Sequence, residues 1–196
     1  MSRTLGVMRR ILRLPALVAV AMLAVPGGAM ADPKVWALLE GGGQVVLLRH
    51  AITTPGVGDP PGMRVDDCST QRNLTDDGRR DARQLGEAFR AHRIAVDRVL
   101  SGPWCRCLET ARLAFGTAQA WPPLGNLFGR PEARDEQVRQ MRALVGERRT
   151  GGNLVLVSHG STISALTGVS LGTAEAVVVT PQGNGRFTVA GRLTAP

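Results

Sequence analysis

Arg49-His50, Arg106 and His159-Gly160 are the residues of this chain whose types and placement could do chemistry together. Two guanidinium groups can bind phosphoryl oxygens through paired charge-assisted hydrogen bonds and follow the charge as it spreads in the transition state. A neutral imidazole is a competent nucleophile near neutral pH, because its unperturbed pKa is about 6.5. Neighbouring cations help to keep it unprotonated, and chemistry of this kind requires no metal or cofactor. Taken singly, each residue has a plainer reading: Arg106 as one exposed charge among many arginines, His159 as a helix cap. His92, on the polar side of a helix in Ala91-His92-Arg93, keeps that plainer reading.

What distinguishes the others is the elements that must position them. Gln44 to Arg49 (QVVLLR) is an uninterrupted apolar run ending in arginine, as expected of a strand buried on both faces. Val96 to Ser101 reads as a second strand leading through Gly102-Pro103 to Arg106, and Asn153 to Val157 as a further apolar strand ending at Ser158-His159-Gly160. Between them lie amphipathic stretches. Thr75 caps a helix with Asp76 and Asp77 in its first turn and Ala82, Leu85 and Phe89 on one face. Pro103 is placed to open a helix with a stripe of Leu108, Ala111 and Phe115. Glu132 to Arg149 returns to helical periodicity through Val138, Met141 and Val145, and a short helix is expected from Thr162 to Thr167. Residues 116–131, rich in Pro and Gly, read as a loop with room for a short edge strand. Ala176 to Thr180 and Arg186 to Arg192 form an expected hairpin across Gln182-Gly183-Asn184-Gly185.

Strands alternating with helices imply an α/β fold, a three-layer α/β/α sandwich with a mostly parallel central sheet. In such sheets ligands bind beyond the carboxyl ends of the strands. If the strands are parallel, two arginines and two histidines converge there.

The start of the chain reads differently. Arg3, Arg9, Arg10 and Arg13 precede an apolar run from Leu14 to Val25, then Pro26-Gly27-Gly28 and the small-x-small Ala29-Met30-Ala31. This is the pattern of a cleaved export signal over residues 1–31. The run is shorter than the roughly 20 apolar residues of a membrane span, so no stable span is expected after cleavage. Residues 32–196 then form a single domain with one core. The signal holds four of the 24 Lys and Arg and none of the 16 Asp and Glu, so the domain is less basic than the formal charge of +8 implies. Its basic residues form no run interleaved with aromatics, which argues against a nucleic-acid partner. Export would place the three cysteines where disulfides persist. Cys105 and Cys107 lack metal-ligand spacing, and neighbours one residue apart close a strained ring. Cys68 is therefore expected to bridge Cys105 or Cys107, leaving one thiol over.

Four ordered motifs carry a family resemblance over nearly all of residues 32–196. Leu48-Arg49-His50-Ala51 resembles the Arg-His-Gly signature of the histidine phosphatase superfamily, also called phosphoglycerate-mutase-like. Leu74-Thr75-Asp76-Asp77-Gly78 with Ala82 is similar to its first-helix motif. Ser101-Gly102-Pro103 through Arg106 to Glu109-Thr110-Ala111 is similar to its second-helix motif, and Val157-Ser158-His159-Gly160 to its second-histidine motif. The resemblance, to exported bacterial members, implies that His50 attacks phosphorus and becomes phosphohistidine while Arg49, Arg106 and His159 hold the phosphoryl oxygens. Ala51 stands where the signature has glycine, a change that removes some backbone freedom without disabling the nucleophile.

No carboxylate stands at a clear counterpart of the family's general acid. Glu175, just before a strand, is the leading candidate; Glu132 and Asp135 read better as helix-start charge. Without an acid, good leaving groups such as phosphohistidine or acyl phosphates gain over sugar phosphates. Gln71, Arg72 and Asn73 lie between the nucleophile and the first helix and are candidates for contacting the substrate beyond its phosphate. The leading expectation is an exported, periplasmic phosphomonoesterase acting on a small phosphorylated substrate, with a cell-envelope phosphate as the inferred source. A protein phosphohistidine phosphatase and a non-catalytic phosphate-binding envelope protein are the alternatives.

Overall fold

The computed structural model describes residues 33–194, and the expected export signal lies outside them. The elements run α1 (Pro33–Glu40), β1 (Val45–Arg49), α2 (Asp76–Ala91), β2 (Val96–Ser101), α3 (Cys105–Phe115), β3 (Gln119–Ala120), α4 (Arg134–Val145), β4 (Asn153–Ser158), α5 (Gly160–Thr167), β5 (Ala176–Gly183) and β6 (Arg186–Leu193). Six strands form one sheet in the order β3-β2-β4-β1-β5-β6. The four from β3 to β1 are parallel, while β5 and β6 are antiparallel additions at one edge. The sheet is thus mixed and largely parallel, as the alternation of strands and helices implied.

Alternation along β1 explains the layers. Val46 and Leu48 join Val35, Leu39, Leu85, Phe89 and Ala111 in the core under α1, α2 and α3. Val45 and Leu47 point the other way, onto Met141, Val145, Ile163 and Leu166 of α4 and α5. Both faces of the central strands are therefore covered, which is why they are apolar throughout. On α2 the Thr75 hydroxyl accepts from Gly78 N at 3.1 Å, the expected cap. Gly86 lets α2 and α3 pack backbone to backbone, since a Cβ there would collide with the Ala114 carbonyl.

Several boundaries differ from the sequence expectation. Trp104 is still extended, with φ −67° and ψ 138°, so α3 begins at Cys105, two residues after Pro103. Its buried face is Arg106, Cys107, Thr110, Ala111 and Ala114, while Leu108 is only half-buried. That face includes a charged side chain, which a purely apolar stripe cannot anticipate. Helix α4 stops at Val145, and a 3₁₀ turn at Pro131–Ala133 precedes it. Helix α1 was not anticipated at all; it has eight residues and buries only Val35 and Leu39, too short a pattern to show periodicity.

Candidate active site

The register of the sheet sets the site. Arg49 pairs with Ser158 across β1 and β4, so His50 and His159 leave adjacent strands at the same height. Ser101, the last residue of β2, pairs with Val157, and its strand leads into α3 with Arg106 in the first turn. The three strand ends open into one cavity of about 490 Å³, with Arg49, His50, Arg72, Arg106 and His159 in its wall.

His50 is 3% exposed. Its Nδ1 lies 2.9 Å from the Ala51 carbonyl. A carbonyl oxygen only accepts, so the neutral ring carries its proton on Nδ1 and keeps the lone pair on Nε2. Burial, together with the charges of Arg106, Arg49 and Arg72, pushes the His50 pKa down to about 3, although the Ala51 hydrogen bond opposes the shift. The imidazole is thus neutral at physiological pH. Ala51 N donates to Thr110 Oγ1 at 3.1 Å, and that hydroxyl donates to the Arg106 carbonyl at 2.7 Å. The loop after His50 is thereby tied to the helix that carries Arg106.

Each of the three arginines is anchored through an Nη group and has a buried Nε–H without a protein acceptor. Arg49 Nη1 donates to the Leu171 carbonyl at 2.7 Å, and Arg72 Nη1 donates to the Gly56 carbonyl. Arg106 binds Asp59 end-on, Nη1 to Oδ1 at 2.6 Å and Nη2 to Oδ2 at 2.9 Å. The Nε atoms of all three are buried and unpaired among the described residues. Buried donors are normally satisfied, so three orphaned N–H groups in the residues of one cavity wall leave donor capacity for an anion. Helix α5 starts at the same wall, where Gly160 and Ser161 add the positive end of its dipole.

His159 is 3% exposed and shares the same cavity wall. Its Nδ1 faces Arg106 Nη2 at 3.5 Å and its Nε2 faces the Cys107 thiol at 3.4 Å. Both nitrogens are therefore directed at protein groups. Burial lowers the pKa of His159 well below the ordinary value, helped by His50 and the arginines. Burial also pushes the Cys107 thiol up to about 12, so it stays protonated. The resemblance gave His159 a direct hold on phosphoryl oxygens. In this arrangement it backs Arg106, and its ring stands edge-on to His50 at 5.3 Å between centroids.

Residues 45–124 match the sequence profile of the histidine phosphatase superfamily (branch 1), a span that includes Arg49, His50, Asp59, Arg72 and Arg106 but not His159. The fold is shared with the protein histidine phosphatase SixA complexed with tungstate, at TM-score 0.60 and 17% identity over 78% of this chain and 97% of that one. The likeness to this superfamily thus rests on a profile match over residues 45–124 and on a shared fold. Its fold is also similar to phosphoserine phosphatase from Entamoeba histolytica in complex with 3-phosphoglyceric acid, at TM-score 0.56 and 14% identity over 77% and 96% of the two chains. A mycobacterial glucosyl-3-phosphoglycerate phosphatase aligns at TM-score 0.57 and 18% identity over 78% and 99%. Comparison with curated protein sequences finds no match.

Four of the expected catalytic residues and one of the three expected substrate residues meet in the cavity. The others have different work. Glu175 is outside the cavity wall, and its carboxylate accepts from Gly172 N at 2.7 Å, closing a local turn. Its contribution to the site is through its backbone, whose carbonyl accepts from Arg49 N at 2.9 Å. Gln71 is buried as a staple rather than offered to substrate: Nε2 donates to the Arg64 and Val65 carbonyls, and Oε1 accepts from Cys105 N. Asn73 Nδ2 donates to the Cys68 carbonyl at 2.6 Å. Both side chains shape the loop that carries Arg72. The disulfide joins Cys68 to Cys105, with Cα atoms 5.7 Å apart, and leaves Cys107 as the buried thiol.

Asp59 is the functional residue that the sequence concealed. Its side chain is 8% exposed and is paired with Arg106. Besides its two bonds to Arg106, it accepts from Arg72 N at 3.2 Å and Trp104 Nε1 at 3.2 Å. Burial alone would raise its pKa, but the bonds to Arg106, Arg72 and Trp104 outweigh it and hold the carboxyl below its usual range. In Gly58-Asp59-Pro60-Pro61 it reads as one more turn residue. No group of three His, Cys, Asp or Glu among the described residues is placed to hold a metal ion.

Proposed function

We propose that this chain is an exported phosphatase that hydrolyses a phosphomonoester through a phosphohistidine on His50. The observation that carries the reading is the Nδ1 bond of His50 to the Ala51 carbonyl, which leaves Nε2 as a neutral nucleophile among three arginines. In the first step Nε2 attacks phosphorus and the ester P–O bond breaks, its electron pair going to the leaving oxygen. Arg49, Arg72 and Arg106 neutralise the charge on the phosphoryl oxygens. In the second step water attacks the phosphohistidine, the P–N bond breaks, and Nε2 recovers its lone pair. No Asp or Glu among the described residues lines the cavity, so the leaving oxygen takes its proton from water. Export rests on residues 1–31, and a cell-envelope phosphate is the source of substrate that export would offer. A wall without a carboxylic acid also favours a second reading, a protein phosphohistidine phosphatase, because an activated leaving group departs without such an acid to assist it.

Labelling tests this directly. Purified protein incubated with an aryl phosphate and quenched should carry an acid-labile, alkali-stable phosphoryl group. His50→Ala should remove the label and lower kcat on the order of 10⁴-fold or more, as loss of a nucleophile does. Absence of label and of phosphate release, with phosphate binding intact, would make the protein a binder instead.

A further inference from the structure

The cavity wall combines two kinds of side chain. One kind is ionisable: Arg49, Arg72, Arg106, His50 and His159. The other kind, Val57, Asn126, Phe128, Ser161, Ser164 and Ser170, carries no charge. Val57 is 87% exposed and Phe128 58%, two of the six exposed large apolar side chains among the described residues. The edge of the Phe128 ring approaches Gly58, 3.8 Å from where a Cβ would stand, so the ring lies across the mouth from the loop that carries Val57. Phe128 is also positioned from behind: Asn126 Oδ1 accepts from Phe128 N at 3.1 Å and from Ser161 Oγ at 2.9 Å. An exposed aromatic held in place at the mouth of a catalytic cavity is available for contact with a bound molecule.

Charge balance sharpens the chemistry. Three guanidinium cations, less the Asp59 carboxylate bound to Arg106, leave a net charge of two beside two neutral imidazoles. A phosphomonoester dianion matches that charge. Any further charge on the leaving group would meet a wall that offers hydroxyls, an amide and hydrocarbon, and no counter-ion.

Resting on the phosphatase reading above, we propose that the substrate is the phosphate monoester of an uncharged alcohol that lays an apolar face on Phe128. Phe128 is thereby a specificity-determining residue, and the serines bind hydroxyl or ether oxygens at the edge of the same group.

Benzyl phosphate and its 4-carboxy analogue test this with the full chain, because they share an unactivated leaving oxygen and differ in charge. The carboxylated compound should show kcat/KM lower by roughly tenfold or more, the scale on which a pocket rejects a group it cannot pair. Phe128→Ala should raise KM for benzyl phosphate by about tenfold, the scale of one lost apolar contact surface, with kcat nearly unchanged. Phe128→Leu should recover part of that loss. Equal or better turnover of the carboxylated compound, or a Phe128→Ala variant that loses kcat at constant KM, would overturn the inference while leaving the phosphatase reading intact. No phosphate release from either compound, with no phosphohistidine label, would overturn both.

Discussion

Asp59 and His50 show how much of this site depends on single charges. The Asp59 carboxylate holds both Nη groups of the Arg106 guanidinium, while the buried Nε–H has no protein acceptor among the described residues. Asp59→Ala should therefore strand a buried cation and cost about 3–5 kcal/mol of stability, read by urea unfolding. It should also lower kcat/KM on the order of 100-fold by letting Arg106 shift, whereas loss of stability with full kcat/KM would make Asp59 structural only. His50 contributes to the pH dependence of stability beside His159, because its folded pKa of about 3 lies below the unfolded value of 6.5. The unfolded chain takes up the proton first, so the stability linked to His50 is complete above pH 6.5 and is lost as pH falls toward 3. By pH 5 this amounts to about 2 kcal/mol. The fall in Tm between pH 6.5 and 5 should accordingly be shallower in His50→Gln. A slope unchanged from that of the unaltered protein would show that His50 is not the group responsible.

At the scale of elements, the segment between β1 and α2 has little regular structure of its own, one 3₁₀ turn at Cys68–Thr70 and a single bridge from Thr53 to Leu74. It carries Asp59 and Arg72, and it is fixed to α3 by the Cys68–Cys105 disulfide, by the Gln71 bond to Cys105 N and by the Asp59 ion pair. All of these fasteners reach α3 at or beside Arg106. The disulfide joins residues 37 apart, a loop for which chain entropy predicts about 4 kcal/mol of stabilisation. A Cys68→Ser/Cys105→Ser double variant should lose about that much in urea unfolding. Because the same bridge holds Arg72 opposite Arg106, kcat/KM should fall alongside, by about tenfold if the loop is displaced by a fraction of an ångström. Unchanged activity after loss of the bridge would show that the ion pair and Gln71 suffice.

The whole molecule brings four residues dispersed in the sequence into one cavity wall. Parallel β2, β4 and β1 deliver their carboxyl ends to the same side, and helices on both faces keep the strands rigid and dry. A site assembled in this way should bind inorganic phosphate only when the chain is folded. Binding restricted to the native state raises stability by about 2.7 kcal/mol when the ligand is at 100 times its Kd. Phosphate should thus raise Tm in the unaltered protein and lose that effect in Arg106→Met, measured as the shift relative to each protein without phosphate. An equal shift in both would place the bound anion elsewhere.

The apolar runs that become β1, β2 and β4 were legible because strands buried on both faces admit almost nothing but hydrocarbon. Arg49, His50, Arg106 and His159 were legible as the polar residues that end or follow those runs. The Cys68 bridge was legible only as a choice between two partners. The roles of Asp59, Gln71 and Glu175 were not legible, because a carboxylate or amide in a loop has the same local pattern whether it faces water, caps a turn or grips an arginine. The folded chain decided these by distance: Asp59 came to Arg106, while Glu175 closed on Gly172. Periodicity reports which face of an element is buried, and it fixed the layers and the strand ends. Contacts between residues far apart in sequence depend on how the layers meet, and only the tertiary structure supplied them.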